Sequence, residues 1–362
     1  MWTKPYGRTG KDVSVIGFGG MRFERPLDID ASAAVVLHAY GKGVNYFDTA
    51  PYYCKDRSED IMGAAFRAMR PGTFFVSTKS GEPEGDKLRR DLEKSLKRLG
   101  VPRINFFHLW CIITLEAWKG RIEKGAVAAA LKAKEEGLIE HVVVSSHLPG
   151  ADLAKVLADA PVEGVTLGYC AINFPYRQAA VDAAGRHGLG VVTMNPLGGG
   201  LIPQNAAKFD FLRGPGDKSV VEAAIRFNIS QPAITCALVG FSTTQQVDQA
   251  VAAVDGFRPY PKKHVDSIRR KVMASFNSLC TGCGYCLPCP AGINIPQMMD
   301  SYNHKLLRGG DPKEISARLS DHWESSPQPA TTCSLCGQCE ERCTQRLPIR
   351  ERMKEIASLA KG

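Results

Sequence analysis

The sequence lacks the features of a membrane or exported protein. No apolar run among its 362 residues approaches the roughly 20 residues that a membrane-spanning helix needs. The N-terminal stretch, MWTKPYGRTGKDVSVIGFGGM, has no apolar signal core followed by a small-residue cleavage site. We therefore expect a cytoplasmic protein that does not associate with membranes.

The sequence also lacks a concentrated block of positive charge. Its formal net charge is +9, but lysines and arginines are interleaved with acidic residues, as in GEPEGDKLRRDLEKSLKRLG. This interleaving is typical of a solvated helix face rather than of a surface that binds a nucleic-acid backbone. We expect no nucleic-acid partner.

Cysteine is scarce in most of the chain and concentrated near its end. Of the 12 cysteines, only Cys54, Cys111, Cys170 and Cys236 precede residue 280. Disulfide frameworks are typical of small secreted domains, whereas clustered cysteines in a long chain without an export signal indicate metal or redox ligands. We expect the four scattered cysteines to be buried thiols.

Eight short apolar runs alternate with amphipathic stretches before residue 258. The runs are VSVIGFG, VNYFDTA, FFVSTK, INFFHLW, HVVVSS, GVTLGY, VVTMNP and CALVGF. The stretches between them, such as DKLRRDLEKSLKRLG, carry apolar residues at helical spacing and end in glycine. Eight such repeats predict an α/β fold, a parallel (β/α)8 TIM barrel whose usual size of about 250 residues fits this span. A doubly wound open sheet is the alternative.

A segment rich in proline and glycine, GFRPYPKK at residues 256–263, follows the eighth repeat. Such composition is typical of a linker between domains. We predict two domains, a barrel at 1–258 and a smaller, mainly helical domain at 264–362 that contains the clustered cysteines.

The second domain contains two sets of four closely spaced cysteines, which are Cys280, Cys283, Cys286 and Cys289, and Cys333, Cys336, Cys339 and Cys343. Both sets resemble the cysteine run of bacterial two-cluster ferredoxins, in which three cysteines bind one [4Fe-4S] cluster and the fourth reaches the other. The resemblance implies two [4Fe-4S] clusters, with Cys343 completing the first set of three and Cys289 completing the second. Structural zinc, also bound by paired CxxC units, is the alternative.

The two sets depart from the ferredoxin run at their last positions. The fourth cysteine of the first set follows after two residues rather than three, and Thr344 stands where the second set should have proline. These departures weaken the assignment of the fourth ligands more than the prediction that clusters bind.

In a TIM barrel the active site lies at the carboxyl ends of the strands. The polar residues just after the apolar runs are therefore the candidates for chemistry, and they include Asp48, Lys79, Ser145, Ser146 and Asn195.

Several of these motifs resemble the aldo/keto reductase superfamily, in the branch with a ferredoxin-type domain. They are GRTGKDVSVIGFGGMRF, FDTAPYY, STK, SSH, MNPLGGG and LVGFSTTQQV. The resemblance covers essentially the whole chain and implies hydride exchange between a nicotinamide and a carbonyl or alcohol. Tyr53 would be the proton donor, Lys79 its neighbouring cation, and Asp48 the carboxylate that holds the lysine. Tyr52 is the neighbour that could be mistaken for the acid, and spacing favours Tyr53.

The family's fourth catalytic residue, a histidine after the fourth strand, aligns with Trp110. His108 lies two residues earlier, on the same face of the strand but about 6.6 Å deeper. It is our candidate for orienting a substrate carbonyl, provided that the strand end is rearranged. A hydrogen-bonded core histidine is the alternative role, and His147 is a rival candidate.

The resemblance also implies where a nicotinamide cofactor would bind. Ser145 and Ser146 match the pair that contacts the nicotinamide amide, and the NPLGGG loop offers the backbone of Asn195, Leu197 and Gly198. The adenosine site matches GFSTTQQVDQA and includes Gly240, Ser242, Thr243 and Gln246. A capping box of Thr243 and Gln246 is the plain structural reading. Because Gly240 and Gln246 replace the basic residues that hold a 2′-phosphate in many relatives, NADP and NAD both remain open.

Three functions follow from these patterns. The first is nicotinamide-dependent reduction of a small-molecule carbonyl, or oxidation of an alcohol, with iron–sulfur clusters for electron transfer. The second is a cluster-driven redox enzyme fed by an electron-transfer partner such as a flavoprotein. The third is a non-enzymatic electron carrier or redox sensor. The substrate is not named by the sequence, although Arg22 at the barrel mouth could bind an acidic group.

Overall fold

The protein is described by a computed structural model that covers residues 1–276 and 278–361. Its strands are β1 (Thr3–Pro5), β2 (Asp12–Ser14), β3 (Ile16–Gly19), β4 (Tyr46–Asp48), β5 (Phe75–Ser80), β6 (Ile104–Ile112), β7 (Ile139–Ser146), β8 (Gly164–Gly168), β9 (Gly190–Met194) and β10 (Cys236–Gly240). Strands β3 to β10 are parallel and close into a barrel in which each pairs with the next and β10 pairs with β3. The predicted TIM barrel is confirmed, and the open-sheet alternative is wrong.

Helices follow most of the barrel strands. In the first 260 residues they are α1 (Ile29–Gly41), α2 (Tyr53–Asp56), α3 (Ser58–Phe66), α4 (Gly85–Leu99), α5 (Leu115–Glu123), α6 (Ala126–Glu135), α7 (Gly150–Asp159), α8 (Phe174–Arg186), α9 (Leu201–Gln204), α10 (Val220–Ile229) and α11 (Thr244–Ala252). Helix α4 shows why they form: Leu88, Leu92 and Leu99 bury one face, and Gly100 ends the helix at a φ of 67°. No helix of the described chain is long and apolar enough to cross a lipid bilayer.

The hairpin of β1 and β2 precedes the barrel and carries Tyr6, which is completely buried. The ring of Tyr6 packs against the first residues of two barrel strands, Gly164 and Gly190. A Cβ atom would lie 2.3 Å from the Tyr6 hydroxyl oxygen at Gly164 and 2.1 Å from a Tyr6 ring carbon at Gly190. Because the two glycines begin their strands, Tyr6 fills the amino-terminal end of the barrel, opposite the end where the chemistry of this fold lies.

The remaining helices of the described chain are α12 (Lys262–Ser275), α13 (Ile295–Leu307), α14 (Lys313–Trp323), α15 (Gln338–Glu341) and α16 (Ile349–Ser358). Of these, α13, α14 and α16 build a second hydrophobic core. Fully or nearly fully buried residues such as Met298, Ile315 and Met353 form this core, and six of the clustered cysteines pack against it. Single turns of 3₁₀ helix occur at Gly198–Gly200, Ala206–Lys208, Asp210–Leu212, Gln328–Thr332 and Leu359–Lys361.

Two compact units result, and their limits differ in detail from the predicted domains. The first contains Met1–Leu197 and Asp210–Ile268, and the second contains Gly198–Phe209 and the chain from Arg269 onward. The expected linker is not free: the backbone N–H of Tyr260 donates to Ser230 Oγ at 3.0 Å, within the first unit. Residues 198–209 join the second unit, where a Cβ atom at Gly199 would lie 2.3 Å from the Thr281 carbonyl oxygen. The domain limits 1–258 and 264–362 stay a prediction.

The contact of Tyr6 predicts a stability effect. Replacing Gly190 by alanine should destabilise the protein by about 1–3 kcal/mol, because the added methyl group overpacks the Tyr6 ring. Gly120→Ala is the matched control, since nothing lies within 4 Å of its Cβ position in α5, and it should leave stability unchanged or up to about 1 kcal/mol higher. Urea unfolding of the anaerobically purified protein measures both, and equal midpoints for the two variants would contradict the packing.

Candidate active site and iron–sulfur ligands

The centre of the barrel mouth is a buried ion pair between Asp48 and Lys79. Asp48 ends β4, Lys79 lies near the end of β5, and each is only 2% exposed. Lys79 Nζ lies 2.5 and 2.6 Å from the two carboxylate oxygens of Asp48 and donates to the Thr49 carbonyl at 2.8 Å. Burial lowers the pKa of Lys79, and the Asp48 carboxylate acts in the opposite direction. The Asp48 carboxylate thus favours the charged, ammonium form of the buried Lys79 side chain.

Tyr53 lies beside this pair, at the start of the short segment α2. The Lys79 ammonium nitrogen is 5.6 Å from the centre of the Tyr53 ring. Burial, followed by the charge of Asp48, raises the pKa of Tyr53, whereas we expected a neighbouring cation to lower it. The phenol is therefore held in its protonated form. Tyr52, in contrast, is 65% exposed and has a left-handed φ of 72°.

His108 is deep in the barrel, as its position in the strand predicted. It is completely buried and lies opposite Lys79 in the pairing of β5 with β6. The hydroxyl of Ser77 donates to Asp48 Oδ1 at 2.7 Å and lies 2.8 Å from His108 Nε2. Because that hydroxyl has one proton, His108 must donate through Nε2. Burial, and then the charge of Lys79, lowers the pKa of His108 well below its usual value, so the ring is neutral.

The side chain of His108 is thus connected to the reacting groups only through Ser77 and Asp48. Its Nδ1 is buried and makes no hydrogen bond with any described residue. Sequence reasoning did not single out Ser77, although it precedes Lys79 by two residues and so shares its face of β5. His147, the rival candidate, is 5% exposed, and burial followed by the charge of Arg177 lowers its pKa to about 3.

Trp110 occupies the mouth at the place of the family histidine. The pairing of β6 with β7 is irregular between Leu109 and Ile112, and Cys111 has a left-handed φ of 64°. This irregularity of the strand end lies at Trp110 and Cys111, beyond His108, which keeps regular pairing with Val143. The Trp110 ring meets Tyr53 edge to face, with 5.7 Å between centroids. Arg121, missed by sequence reasoning, donates to the Trp110 carbonyl at 2.9 Å.

The predicted nicotinamide contacts differ in how their hydroxyl groups are used. Ser146 donates to the Ile112 carbonyl at 3.0 Å, so its hydroxyl serves the fold. Ser145 Oγ is buried and has no hydrogen-bond partner among the described residues. An orphaned buried hydroxyl fits a partner that supplies the missing bond, such as the amide of a nicotinamide.

The four scattered cysteines differ in burial. Cys54 and Cys111 are half-buried, which departs from the expectation of buried thiols, whereas Cys170 and Cys236 are buried as expected.

The predicted adenosine-site residues cap helix α11. Thr243 Oγ1 accepts a hydrogen bond from the backbone of Gln246 at 3.3 Å, and the Gln246 side chain accepts one from the backbone of Ser242 at 2.7 Å. Gly240 ends β10, and the stem of Arg22 lies over it. In the NPLGGG loop, Asn195 has a left-handed φ of 58°. Leu197 ends a segment of the first unit, and Gly198 begins the segment that belongs to the second.

The first set of cysteines lies close to one cysteine of the second set. Burial raises the pKa of Cys280 to about 12, and the thiols of Cys283, Cys343 and Cys286 act in the same direction. Cys343 therefore lies near the first set. Its chain neighbour Thr344 places Oγ1 3.4 Å from Cys283 Sγ.

Three cysteines of the second set and two of the first line a cavity of the smaller unit. Cys289, Cys333, Cys336 and Cys339 line it, together with Cys286. No three Cys, His, Asp or Glu side chains of the described residues come together as a site for a single metal ion; these thiols instead line a space. Eight thiols in two groups fit the donor set of two [4Fe-4S] clusters.

Asn303 fixes the start of the first set and was not anticipated from sequence. From the buried face of α13 its side chain accepts from the Cys280 N–H at 2.8 Å and donates to the Cys280 carbonyl at 2.7 Å. Because Asn303 and Cys280 lie 23 positions apart in the chain, no local sequence pattern indicates this clamp of two hydrogen bonds.

Comparison with known proteins agrees with both parts of the chain. The model of the Aldo/keto reductase family matches residues 15–272, and that of a 4Fe-4S dicluster domain matches residues 279–348. L-galactose dehydrogenase of Arabidopsis thaliana is 28% identical over 278 residues, 68% of this chain and 86% of that protein. Aflatoxin B1 aldehyde reductase member 2 of Rattus norvegicus is 39% identical over 98 residues, 25% of this chain and 27% of that protein.

A solved structure shares the barrel fold. The holo form of an aldo-keto reductase from Bacillus halodurans superimposes with a TM-score of 0.66 at 22% identity, over 75% of this chain and 96% of that one. The family match covers more than half of the chain, and relatives named as dehydrogenases share it. The interpretation as a non-enzymatic carrier or sensor therefore gives way: the chain is an oxidoreductase of the aldo/keto reductase family with a 4Fe-4S dicluster domain.

Proposed function

We propose that the barrel reduces a small-molecule carbonyl, or oxidises the corresponding alcohol, with a nicotinamide cofactor. The observation that carries this proposal is the position of the Tyr53 ring beside Lys79, whose ammonium group is held by Asp48. A bound NADPH or NADH would supply the hydride. The protein's part is to give the carbonyl oxygen a proton and to stabilise the charge left behind.

Tyr53 is the proposed proton donor. Because its pKa is raised by burial and by Asp48, the phenol keeps its proton at neutral pH until a substrate oxygen gains negative charge. The proton then passes from the Tyr53 hydroxyl to that oxygen, and the product is an alcohol. The resulting phenolate lies beside the Lys79 ammonium, whose charge favours it. Asp48 keeps Lys79 charged and in place.

His108 is proposed to act through Asp48 rather than on the substrate. Its Nε2 donates to Ser77, and Ser77 donates to the same carboxylate oxygen that accepts from Lys79. The catalytic role that we first considered for His108, orienting a carbonyl, does not suit a completely buried ring. His108 and Ser77 are positioning residues in this proposal.

The cofactor residues support nicotinamide binding at the Ser145 end. Ser145 offers a buried hydroxyl without a partner, and Ser146 lies beside it at the end of β7. At the adenosine end, Ser242, Thr243 and Gln246 serve helix capping, and neither Gly240 nor Gln246 is basic. Both NADP and NAD are therefore proposed as cofactors.

A second function, electron transfer by two [4Fe-4S] clusters, is proposed for the smaller unit. The proposal assigns Cys280, Cys283, Cys286 and Cys343 to one cluster and Cys289, Cys333, Cys336 and Cys339 to the other. The observation that favours it is the exposure of Cys336, one of the second group of ligands, whose neighbour Leu335 is 37% exposed. A cluster bound there would exchange single electrons with a partner at the surface, such as a flavoprotein.

Tyr53→Phe tests the hydride reaction. We expect kcat/KM for aldehyde reduction with NAD(P)H to fall by about 10²–10⁴-fold, because the change removes a proton donor but little volume. Cofactor affinity, measured by fluorescence titration, should be unchanged. Tyr52→Phe is the control and should behave as wild type because its side chain is largely exposed. Loss of activity in Tyr52→Phe alone would show that the wrong tyrosine was assigned.

Alanine variants of the cysteines test the exchange of fourth ligands. Anaerobically isolated protein should contain about eight iron atoms, and Cys283→Ala or Cys343→Ala about four. The double variant Cys283→Ala/Cys343→Ala should also keep about four, since both residues serve one cluster. Cys283→Ala/Cys289→Ala should lose nearly all iron. Stoichiometric zinc in place of iron, or loss of both clusters in the first double variant, would contradict the assignment.

Reoxidation of reduced clusters tests the electron-transfer role. With the clusters reduced by dithionite and no nicotinamide present, an oxidised flavodoxin or an aldehyde substrate should accelerate reoxidation at least about tenfold over buffer. Absorbance and electron paramagnetic resonance follow the change, and a Cys333→Ala protein is the control. The role is excluded if neither addition has an effect and cluster-free protein reduces aldehydes with NAD(P)H at an unchanged rate.

A further inference from the structure

Arg22 stands on the loop that leaves β3 at the carboxyl end of the barrel. Its aliphatic stem lies over Gly240, the last residue of β10. A Cβ atom at Gly240 would come within 2.8 Å of Arg22 Cγ and 3.2 Å of Arg22 Cβ. The absence of a side chain at Gly240 is thus what gives Arg22 its place, at a position where many relatives carry a basic residue of their own.

The backbone around Arg22 is held on both sides. On the side of β10, Ser242 Oγ donates to the Arg22 carbonyl at 2.6 Å. On the side of Tyr53, the Gly20 carbonyl accepts from Ser58 Oγ at 2.7 Å and from Cys54 Sγ at 3.5 Å. The loop that bears Arg22 is therefore fixed to the segment that bears Tyr53.

The guanidinium group of Arg22 has no acidic partner in the described part of the chain. No Asp or Glu oxygen of these residues lies within 4.0 Å of it. Its charge still reaches the active site, because it opposes the effect of burial and of Asp48 on the pKa of Tyr53. Arg22 is exposed, so a ligand in the barrel mouth can meet it. A guanidinium without an acidic partner, on a stem and backbone that are held in place, is suited to bidentate binding of an oxyanion.

We propose that Arg22 binds an anionic oxygen group, a carboxylate or phosphate, on the carbonyl substrate whose oxygen Tyr53 protonates. The preferred substrates are then acidic aldehydes or ketones, with the charged group on the β3 and β10 side of the mouth. This inference rests on the carbonyl reduction proposed above. The same chemistry would also suit a phosphate of the nicotinamide cofactor, and the experiment separates the two sources.

The test uses full-length protein purified anaerobically and two aldehydes that differ in charge, 4-carboxybenzaldehyde and its neutral methyl ester. In wild type the ratio of kcat/KM values should favour the acid. In Arg22→Gln that ratio should fall by roughly 10- to 100-fold, the loss typical of a charge-assisted hydrogen-bonded pair. Arg25→Gln, three residues further along the same loop and also exposed, is the matched control and should keep the wild-type ratio.

Three other outcomes overturn the proposal. If Arg22→Gln leaves the ratio at the wild-type value, Arg22 is a surface arginine. If Arg25→Gln lowers the ratio equally, the effect is one of general charge. If Arg22→Gln weakens NADPH binding in fluorescence titration but not the preference for the acid, the anion belongs to the cofactor.

Calorimetry distinguishes failure of this inference from failure of the proposed reaction. If neither aldehyde is reduced by any form of the protein, carbonyl reduction is wrong for these substrates. Terephthalate, the non-reacting dicarboxylate, should then still bind to wild type at least about tenfold more tightly than to Arg22→Gln. Equal affinity of the two forms for terephthalate would overturn the role of Arg22 independently of turnover.

Discussion

The buried contact between Lys79 and Asp48 is the interaction on which the active site depends. Removing an ammonium and a carboxylate from water is costly, and a pair is tolerated only where further hydrogen bonds complete it. Here the Thr49 carbonyl and the Ser77 hydroxyl complete it. The barrel makes this possible because adjacent parallel strands place Asp48 opposite Ser77, with Lys79 two residues further along. In the proposed reaction Tyr53 can act as the proton donor only while the Lys79 ammonium group is present to stabilise the phenolate.

Local periodicity was sufficient to predict the barrel and to place Asp48 and Lys79 at the ends of its strands, whereas Tyr53 was indicated by the resemblance to the aldo/keto reductases. Alternation along FVSTKS places Ser77 and Lys79 on one face, and the ends of parallel strands bring Asp48 to the same mouth. The bulge after Leu109 could not be predicted from the alternation of side chains along a strand, because the regular pairing of β6 with β7 is interrupted at Trp110 and Cys111. The direction of the Tyr53 pKa was also missed, because burial outweighs the nearby cation and depends on the packing of the whole mouth.

Long-range contacts explain the other surprises. The clamp of Asn303 on Cys280 and the association of residues 198–209 with the second unit join segments that no local pattern relates. The segment 198–209 follows directly from barrel strand β9 and the NPLGGG motif, so a motif read as part of the barrel also contributes to the smaller core. Composition located the boundary near residue 260, whereas the compact units depend on long-range contacts, such as the hydrogen bond from the Tyr260 backbone N–H to Ser230 Oγ.

The two units are suited to different kinds of redox step. In the proposed reaction the barrel's side chains handle a proton: Tyr53 gives it, and Lys79, held by Asp48, stabilises the charge that remains. That arrangement suits hydride transfer, in which two electrons move together. The thiols of the smaller unit suit clusters that each exchange one electron. A substrate shared by both units does not join these steps, because the electron pair must be divided. A flavin exchanges electrons both singly and in pairs and would join these steps, which is why a flavoprotein is the proposed class of partner.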